Sequence, residues 1–472
     1  MDHPKSVLWA ACFLFLCLPA VLTSQATDPG GKPGQDVKRG LEKLRRQMEE
    51  MKKRHAVEIE AIRKKLESLG QSRNGAGAEE QELEKLRRLA DQEATKEEES
   101  DQESEETMFK IGGLSLQALN PEISIVGDLI TSYRYQDRTR DRADFDFRTL
   151  GLHFESYLDP YTKLKAAVPV NEKFAALGEG YLTRFGVLEG INLTAGKFRQ
   201  QFGVVNRWHK HGLDQVDFPL ALRKIFGDGG LNQTGLSLDW SLPPLRGTSQ
   251  ALTLQVTNGE NGRLFSGNTL STPSCLLHYK NFHDISKDFS LEVGVTGLVG
   301  WNDEWEVVRG TTIQEAKESL STRVFGVDCT LLWEPTDRMR YRHVEWRTEF
   351  FFLNRNILAP DDENRDTINA WGAYTYVQTK LSRWFDVGVR LDFYKPDHKP
   401  YAGSVPSLSH LVADDRDAHR WSAAPYVTWH QSPFVRVRLE YDHLNGKGME
   451  RPEHLVMLQI IFAAGPHKHE RY

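Results

Sequence analysis

The chain has 472 residues, a formal net charge of −6 and 27% charged residues, which alone would suit a soluble protein of about three domains. A helical membrane protein is excluded, because the mean hydropathy is −0.52 and no apolar run of transmembrane-helix length follows residue 26. The composition is uneven: of the 11 Trp, 14 Tyr and 23 Phe, only Trp9, Phe13 and Phe15 precede Phe109. A charged segment without aromatic residues cannot bury a core of its own, so the sequence divides near Phe109.

Residues 1–26 have the pattern of a cleavable secretory signal peptide. Lys5 precedes a short apolar stretch at 7–18, and Ser24-Gln25-Ala26 supplies the small residues that a signal peptidase reads. A membrane anchor is the weaker alternative, because the apolar run is short and Pro19 interrupts it. The mature chain is therefore expected to be exported.

Residues 27–108 predict an α-helical coiled-coil segment with an acidic end. Apolar residues recur three and four positions apart at Leu41, Leu44, Met48 and Met51 and again at 59–69, and His55 marks a break in register. Nine carboxylates between residues 91 and 106 indicate a solvated spacer. The segment is interpreted as a self-associating periplasmic stalk; the alternative is a single charged helix.

From Pro121 onward the hydrophobic period changes to two, as in strands with one apolar and one polar face. Marking every such run predicts sixteen strands, most of them long enough to cross a bilayer at a tilt. The predicted strands are 121–133, 143–158, 161–170, 177–187, 189–198, 233–242, 249–258, 273–282, 288–300, 322–333, 341–354, 369–381, 383–394, 419–431, 433–443 and 453–463.

The connections between these strands alternate in length. Short turns alternate with longer links, which include 199–232, 259–272, 301–321, 355–368 and 395–418. This alternation is typical of outer-membrane barrels with short periplasmic turns and long external loops, whereas a soluble β-sandwich does not require it. We therefore predict an all-β fold for 109–472: a 16-stranded antiparallel transmembrane β-barrel, preceded by the coiled-coil segment.

The two cysteines of the mature chain are not expected to form a disulfide. Cys275 and Cys329 lie on predicted strands that are separated by one strand, so that their backbones are about 10 Å apart. Both fall on the apolar face and are interpreted as unreactive lipid-facing residues.

Several short motifs then occur in a fixed order along the barrel region: Phe147-Arg148-Thr149-Leu150-Gly151-Leu152, Leu158-Asp159-Pro160-Tyr161, Glu179-Gly180-Tyr181-Leu182, Ala195-Gly196-Lys197-Phe198-Arg199, Phe202-Gly203 and Asn206-Arg207. In this order they resemble porin-like Gram-negative outer-membrane proteins related to the phosphate-selective porins, some of which are labelled zinc-regulated or TonB-dependent receptors. The resemblance covers 109–472 and implies a sixteen-stranded, often trimeric diffusion pore. A TonB-dependent receptor is disfavoured, because this length cannot supply a plug and a twenty-two-stranded barrel.

The longest link, 199–232, occupies the position at which general porins fold a loop into the lumen, so the resemblance implies a pore constriction. Its balance of charges is mildly basic, as expected of a pore that favours anions. The constriction candidates are Arg199, Arg207, His209, His211, Asp217, Arg223 and Lys224.

Charges on the predicted inward faces of the strands have both signs, which suggests crossed ion pairs rather than a ladder of phosphate-binding cations. Phosphate selectivity is therefore not predicted. The main candidates for lumen charges are Arg347, Glu349, Arg390, Arg436, Arg438 and Glu440.

No metal, cofactor or catalytic site is predicted. His209 and His211 share a face of an extended segment, but two imidazoles without a third ligand do not make a zinc site, and the same holds for His467 and His469. No grouping of a nucleophile with a histidine is enforced by the sequence, so an enzyme is not expected.

The sequence thus predicts a porin-like outer-membrane channel for passive diffusion of small hydrophilic solutes or ions. A structural anchor, with the stalk contacting the cell wall, and a metal-related uptake protein remain as alternatives. Expected partners are outer-membrane lipid and further copies of the chain, not nucleic acid. The aromatic residue that serves as the insertion signal of the last strand is either Phe462 or Tyr472.

Overall fold

The computed structural model describes residues 110–111, 114–115, 121–135, 143–245, 247–267, 269–309, 312–336, 341–359 and 364–465. The predicted signal peptide and stalk, the tail histidines His467 and His469, and Tyr472 lie outside the described residues and stay predictions. None of the helices in these ranges is long and apolar enough to span a membrane.

Sixteen antiparallel strands close into a single barrel, in which every strand pairs with its neighbours in sequence and the last strand pairs with the first. Each of these strands overlaps one of the sixteen predicted strands, so the predicted barrel is confirmed. The strands are β3 Glu122–Tyr135, β4 Ala143–Asp159, β5 Thr162–Val170, β6 Glu179–Leu188, β7 Ile191–Arg199, β8 Asn232–Leu245, β9 Thr248–Thr257, β10 Ser274–Ser286, β11 Phe289–Arg309, β12 Thr312–Trp333, β13 Val344–Leu358, β14 Arg365–Lys380, β15 Phe385–Lys395, β16 Arg420–His430, β17 Val435–Asn445 and β18 Glu453–Ala464. A separate pair, β1 Lys110–Ile111 and β2 Leu114–Ser115, precedes them.

The period-two pattern of the sequence matches the two faces of the barrel wall. On β13, Trp346, Phe350 and Phe352 are exposed on the outside, whereas Arg347 and Glu349 are buried on the inside. Because successive side chains of a strand point to opposite faces, this alternation gives an apolar exterior and a polar interior.

Exposed aromatic side chains form a ring near each end of the barrel. Trp421 and Trp429 lie at opposite ends of β16, about 27 Å apart along the strand, or about 20 Å in height at the usual tilt of such strands. Aromatic girdles at this spacing bound the apolar band of outer-membrane barrels. The ring at the end of the barrel with the short turns contains Trp429 and also Trp240, Phe289, Trp346 and Trp384. The ring at the opposite end contains Trp421 and also Tyr133, Trp371 and Tyr441.

Two predicted links are shorter than expected. The range 301–321 is not a loop: β11 and β12 continue to Arg309 and Thr312 as one long hairpin, with Trp305 and Val307 buried on one face. Likewise β13 runs to Leu358 and β14 begins at Arg365, which leaves only 359–364 of the predicted link. In both places the period-two pattern continues past the length that a bilayer requires. The predicted ends of these strands were wrong because they were set by the thickness of a bilayer.

Closure of the barrel brings β18 against β3. Phe462 is opposite Gly127, and a Cβ atom on Gly127 would lie 2.1 Å from the Phe462 ring, so this position admits only glycine without rearrangement. Cys275 and Cys329 are not joined by a disulfide; in the strand register Cys275 is opposite Val299 of β11, and Cys329 is opposite Val293 of the same strand.

Candidate functional site

The segment between β7 and β8, residues 200–231, lies inside the barrel and is called here the inner loop. It contains two turns of 3₁₀ helix, Val205–Arg207 and Lys210–Gly212, and the helix α1, Leu220–Phe226. Asn206 closes its base: the side-chain amide donates to the carbonyls of Gln200 and Leu231, and its oxygen accepts from the Leu231 N–H at 2.7 Å. The two ends of the inner loop are therefore fixed to each other.

Glu349 of β13 holds the start of the inner loop. Its Oε1 accepts hydrogen bonds from the N–H groups of Val204 and Val205, at 3.1 and 3.0 Å, and from the Tyr374 hydroxyl at 2.7 Å. Gly203 lies against the same carboxylate with φ +58°, and a Cβ there would be 2.2 Å from Oε2. Only glycine has both the backbone conformation and the space that this approach requires.

The middle of the inner loop is held by two arginines, one on β17 and one on β15. Arg438 donates to the carbonyls of Leu213 and Gln215, at 2.9 and 2.8 Å. Arg390 donates to the carbonyl of Asp217 at 2.8 Å.

Carboxylates next to these arginines bind the loop's N–H groups. Glu440 accepts from Val216 N–H and Asp392 from Leu220 N–H, each at 2.8 Å. Side chains of the wall thus supply partners for five backbone groups of the loop between Leu213 and Leu220, as buried polar groups require.

An apolar surface of the inner loop packs on the same wall. Phe202 contacts Phe226 and Phe351, with ring centroids 4.8 and 5.7 Å apart. The cluster extends to the link between β15 and β16, which was predicted as a plain loop. That link instead contributes a 3₁₀ helix, Pro400–Ser404, and the buried residues Ala402, Val405, Leu408 and Leu411. This side of the lumen is filled and is called here the packed half.

The opposite side of the lumen holds a cavity of about 780 Å³. It lies between the inner loop and the inward faces of β3–β10, and its wall carries charges of both signs. The ionisable lining residues are Glu122, Glu155, Glu179, Asp239, Lys163, Lys165, Lys280, Arg199, Arg207, His153, His209 and His278. Hydroxyl and amide groups, such as those of Thr253 and Gln255, fill the wall between them. This side is called here the open half.

The seven constriction candidates do not form one ring. Arg199, Arg207 and His209 line the cavity, and His211 is buried beside them. Asp217 forms ion pairs with Arg148 and Lys210, at 3.1 and 3.5 Å. The last two candidates, Arg223 and Lys224, belong to α1.

Lys224 lies within a group of cations. Burial, together with the charges of Arg420, Arg223 and Arg263, lowers the pKa of Lys224 to about 8 against the opposing effect of Asp228. The Arg355 guanidinium, which is fully buried, donates to the Arg263 carbonyl. An excess of positive charge therefore lies at α1, away from the balanced charges of the cavity.

Most of the predicted lumen charges face inward but do not line open water. Arg347, Glu349, Arg390, Arg438 and Glu440 are all buried, and four of them hydrogen-bond the inner loop as described above. Arg347 stacks on Trp208 of the loop, 4.6 Å from the ring centroid, and pairs with Glu345 at 3.1 Å. Arg390 likewise pairs with Asp392 at 2.8 Å. Arg436 is only partly buried.

A third histidine joins the pair that the sequence singled out. His153 of β4 lies 5.2 Å from both His209 and His211, measured between ring centroids, and those two rings are 5.3 Å apart. Glu179 of β6 is buried and places Oε2 3.3 Å from His209 Nε2. No group of three or more His, Cys, Asp or Glu side chains in the described ranges has the arrangement of a formed metal site.

His153 and Arg148 were not singled out from the sequence. His153 alternates with the outward-facing Leu152, so the period-two pattern does predict that it faces inward. The pattern does not predict which part of the inner loop passes that strand. Arg148 carries no comparable signal, since its role depends on the inner loop carbonyl of Val216, 2.8 Å away.

No family model matches the chain. A curated relative, an uncharacterised protein of Aquifex aeolicus strain VF5, is 23% identical over 312 residues, or 64% of this chain. The chain spans 63% of the length of that relative.

The solved structures to which the chain is similar include outer-membrane porins and channels. The outer-membrane channel DcaP of Acinetobacter baumannii is 13% identical with a TM-score of 0.48, over 73% of this chain and 96% of that one. An anion-selective porin from Comamonas acidovorans is 10% identical with a TM-score of 0.47, over 73% and 99%. OmpT, an outer membrane protein of Vibrio cholerae, is 11% identical with a TM-score of 0.46, over 76% and 100%. Likenesses this distant carry no argument about function.

Proposed function

We propose that the protein is a porin-like channel through which small hydrophilic solutes or ions diffuse passively. The observation that carries the proposal is the division of the lumen. The inner loop is fixed to one wall because its N–H groups donate to Glu349 and its carbonyls accept from Arg438 and Arg390. A polar cavity of about 780 Å³ lies on its other side. A barrel that served only as an anchor needs no polar cavity beside a fixed internal loop.

The charges favour small solutes with a mild preference for anions. Along the open half, acidic and basic side chains balance, so neither sign is strongly excluded. At α1, Arg223, Lys224, Arg263 and Arg420 produce a positive field with Asp228 as the opposing charge. Basic rings are the means by which a pore favours anions. A specific preference for phosphate is not part of the proposal.

The outer membrane is the proposed location. The exposed apolar exterior and its two rings of aromatic residues fit the hydrocarbon core and the two interfaces of a bilayer. Outer-membrane lipid is therefore the proposed partner of the exterior. From the resemblance to porins we propose that the chain forms a homo-oligomer, such as a trimer. From the predicted stalk we propose that the chain also contacts the cell wall.

Single-channel recording in planar bilayers tests the proposal. The refolded full chain should give discrete current steps, with a permeability ratio that moderately favours chloride over potassium. Liposomes containing the protein should also swell in small sugars and not in large oligosaccharides. A well-folded barrel that gives neither steps nor swelling would contradict the channel and favour the structural anchor.

A further inference from the structure

The three imidazoles of His153, His209 and His211 form a compact cluster at the cavity. Their ring centroids are 5.2, 5.2 and 5.3 Å apart, so that each ring is equally close to the other two. His153 and His209 line the cavity, whereas His211 is 4% exposed. We propose that these three side chains bind one divalent transition-metal ion, with Zn²⁺ as the representative.

The spacing agrees with the geometry of a tetrahedral zinc site. Zinc binds histidine nitrogen at about 2.0–2.1 Å, and the centre of an imidazole ring lies about 1.1 Å beyond that nitrogen. Three rings around one tetrahedral ion therefore have centroids about 5.2 Å apart. The three observed separations fall at this value, although the residues come from a strand of the barrel and from the inner loop.

The ion would need only rotation of the rings. The donor nitrogens do not converge already, since the described residues contain no formed metal site. The torsion about the Cβ–Cγ bond of histidine is broad, and turning a ring about it redirects both nitrogens while the centroid moves little. The ring centres are thus in place, and binding of the ion selects the orientation.

Glu179 is the candidate for a fourth ligand. Its carboxylate is 4% exposed, lies 3.3 Å from His209 Nε2 and also approaches Arg199 Nε at 3.7 Å. It offsets the charge of a divalent ion close to Arg199. Three imidazoles with one carboxylate or water are a donor set for Zn²⁺, Cu²⁺ or Ni²⁺, and not for Mg²⁺ or Ca²⁺, which prefer oxygen ligands.

Ion binding has a consequence for the channel, which rests on the proposed function. The ion would join β4 to the inner loop across one edge of the cavity and add positive charge there. Zinc should therefore reduce the single-channel current, and the reduction should reverse with a chelator.

Isothermal titration calorimetry with ZnCl₂ on the refolded full chain tests the site without reference to conductance. Wild-type protein should bind one zinc ion per chain and no Mg²⁺. His153→Gln, His209→Gln and His211→Gln should each weaken binding by at least about tenfold, because each removes a ligand. Glu179→Gln should give a smaller loss.

Two matched controls locate the site. His278→Gln changes another buried histidine that lines the same cavity, and it should keep the zinc affinity. The double variant His467→Gln/His469→Gln removes the tail pair and should also keep it. Each variant is first checked for a folded barrel by its resistance to SDS at room temperature. If His211→Gln does not fold, the zinc affinities of His153→Gln and His209→Gln still test the site.

The proposal is overturned when folded wild-type protein binds no zinc, or when His153→Gln binds it as tightly as wild type. Loss of binding in the tail variant would also overturn it. A protein that binds zinc through these histidines but conducts no current would retain the metal site and contradict only the channel.

Discussion

The two halves of the lumen are built from different inward-facing side chains. On the packed half, β15–β17 present Arg390, Tyr426 and Arg438, which are buried and hydrogen-bond the inner loop. On the open half, Ser237 and Thr253 of β8 and β9 bond with their own wall, as Thr253 does with Asp239 at 2.7 Å. Gln255 of β9 also accepts a hydrogen bond from the N–H of Gln201 at the start of the inner loop, at 3.0 Å.

The comparison of the two halves shows how a barrel can hold an internal loop against one side of its wall. A loop without a regular hydrogen-bonding partner must find a donor or an acceptor for every buried backbone group. Long arginine, glutamate and tyrosine side chains can supply these groups across the space between wall and loop. A short hydroxyl does so only where the loop comes close to the wall, as Thr296 Oγ accepts from the Gly203 N–H at 3.2 Å. The size of the inward side chains therefore contributes to which half of the lumen stays open.

The largest effect is expected from Glu349→Ala. The change leaves the N–H groups of Val204 and Val205 and the Tyr374 hydroxyl without their acceptor. Buried groups left unpaired cost about 1–3 kcal/mol each, so the start of the inner loop should leave the wall. Single-channel conductance should change several-fold and become noisy.

The matched control for Glu349→Ala is Glu292→Ala. Glu292 is also an inward carboxylate, but it pairs with Lys280 of β10, 2.7 Å away, and not with the inner loop. Its removal should leave the current steady. Equal current noise in both variants would show that the hydrogen bonds of Glu349 to the inner loop are not what keeps the current steady.

A smaller effect is expected from Gly203→Ala. The residue has φ +58°, and the added Cβ would meet the Glu349 carboxylate at 2.2 Å, so both backbone strain and a clash act against docking. The cost should be about 1–3 kcal/mol. Limited proteolysis of the inner loop measures it, because an undocked loop is cleaved faster.

Gly229→Ala is the control in the same loop. No atom lies within 4 Å of the position that its Cβ would take. Its cleavage rate should match that of wild type. Faster cleavage of Gly229→Ala than of Gly203→Ala would mean that the approach of Gly203 to Glu349 does not hold the loop.

The barrel was predictable because its signal is local. Period-two alternation in each of sixteen segments identifies the strands, and consecutive pairing then requires no further information. The ends of β11 and β12 were not predicted, since strand length was set by the bilayer and these strands continue beyond it. Alternation of side chains persists wherever two strands pair, in lipid or outside it.

The interior was predictable only in part, because its contacts join residues far apart in sequence. The sequence indicates that Arg438 and Glu440 face inward, but their hydrogen bonds to Gln215 and Val216 cross more than 220 positions. In the same way, His209 and His211 were visible as a pair, while the third ring, His153, comes from β4. The spacing of two histidines within one short segment does not indicate which histidine of another strand lies beside them.

A moderate, pH-dependent effect is expected at α1, which borders the packed half. Burial and neighbouring arginines lower the pKa of Lys224 to about 8, so Lys224 is charged below this pH and loses its charge above it. The preference for anions should fall as the pH rises through about 8. Reversal potentials in a chloride gradient measure this.

Two variants make the pH dependence specific. Lys224→Gln should remove the step near pH 8. Lys447→Gln should keep it, because Lys447 is exposed and its hydrogen bond with Asp417 raises its pKa. A step that persists in Lys224→Gln would assign the pH dependence to another group.

The smallest effect is expected from Thr253→Val on the open half. The change keeps the shape of the side chain and removes its hydroxyl, which donates to Asp239 Oδ1 at 2.7 Å. A single hydrogen bond of this kind contributes about 1 kcal/mol, and Asp239 can still accept a bond from Ser237, 3.2 Å away. The midpoint of urea unfolding in lipid vesicles should therefore shift only slightly, and the current should remain steady, because no part of the inner loop depends on this threonine. Noise comparable to that of Glu349→Ala would mean that this hydroxyl of the open wall is as important for holding the loop as Glu349, and it would remove the distinction between the two halves.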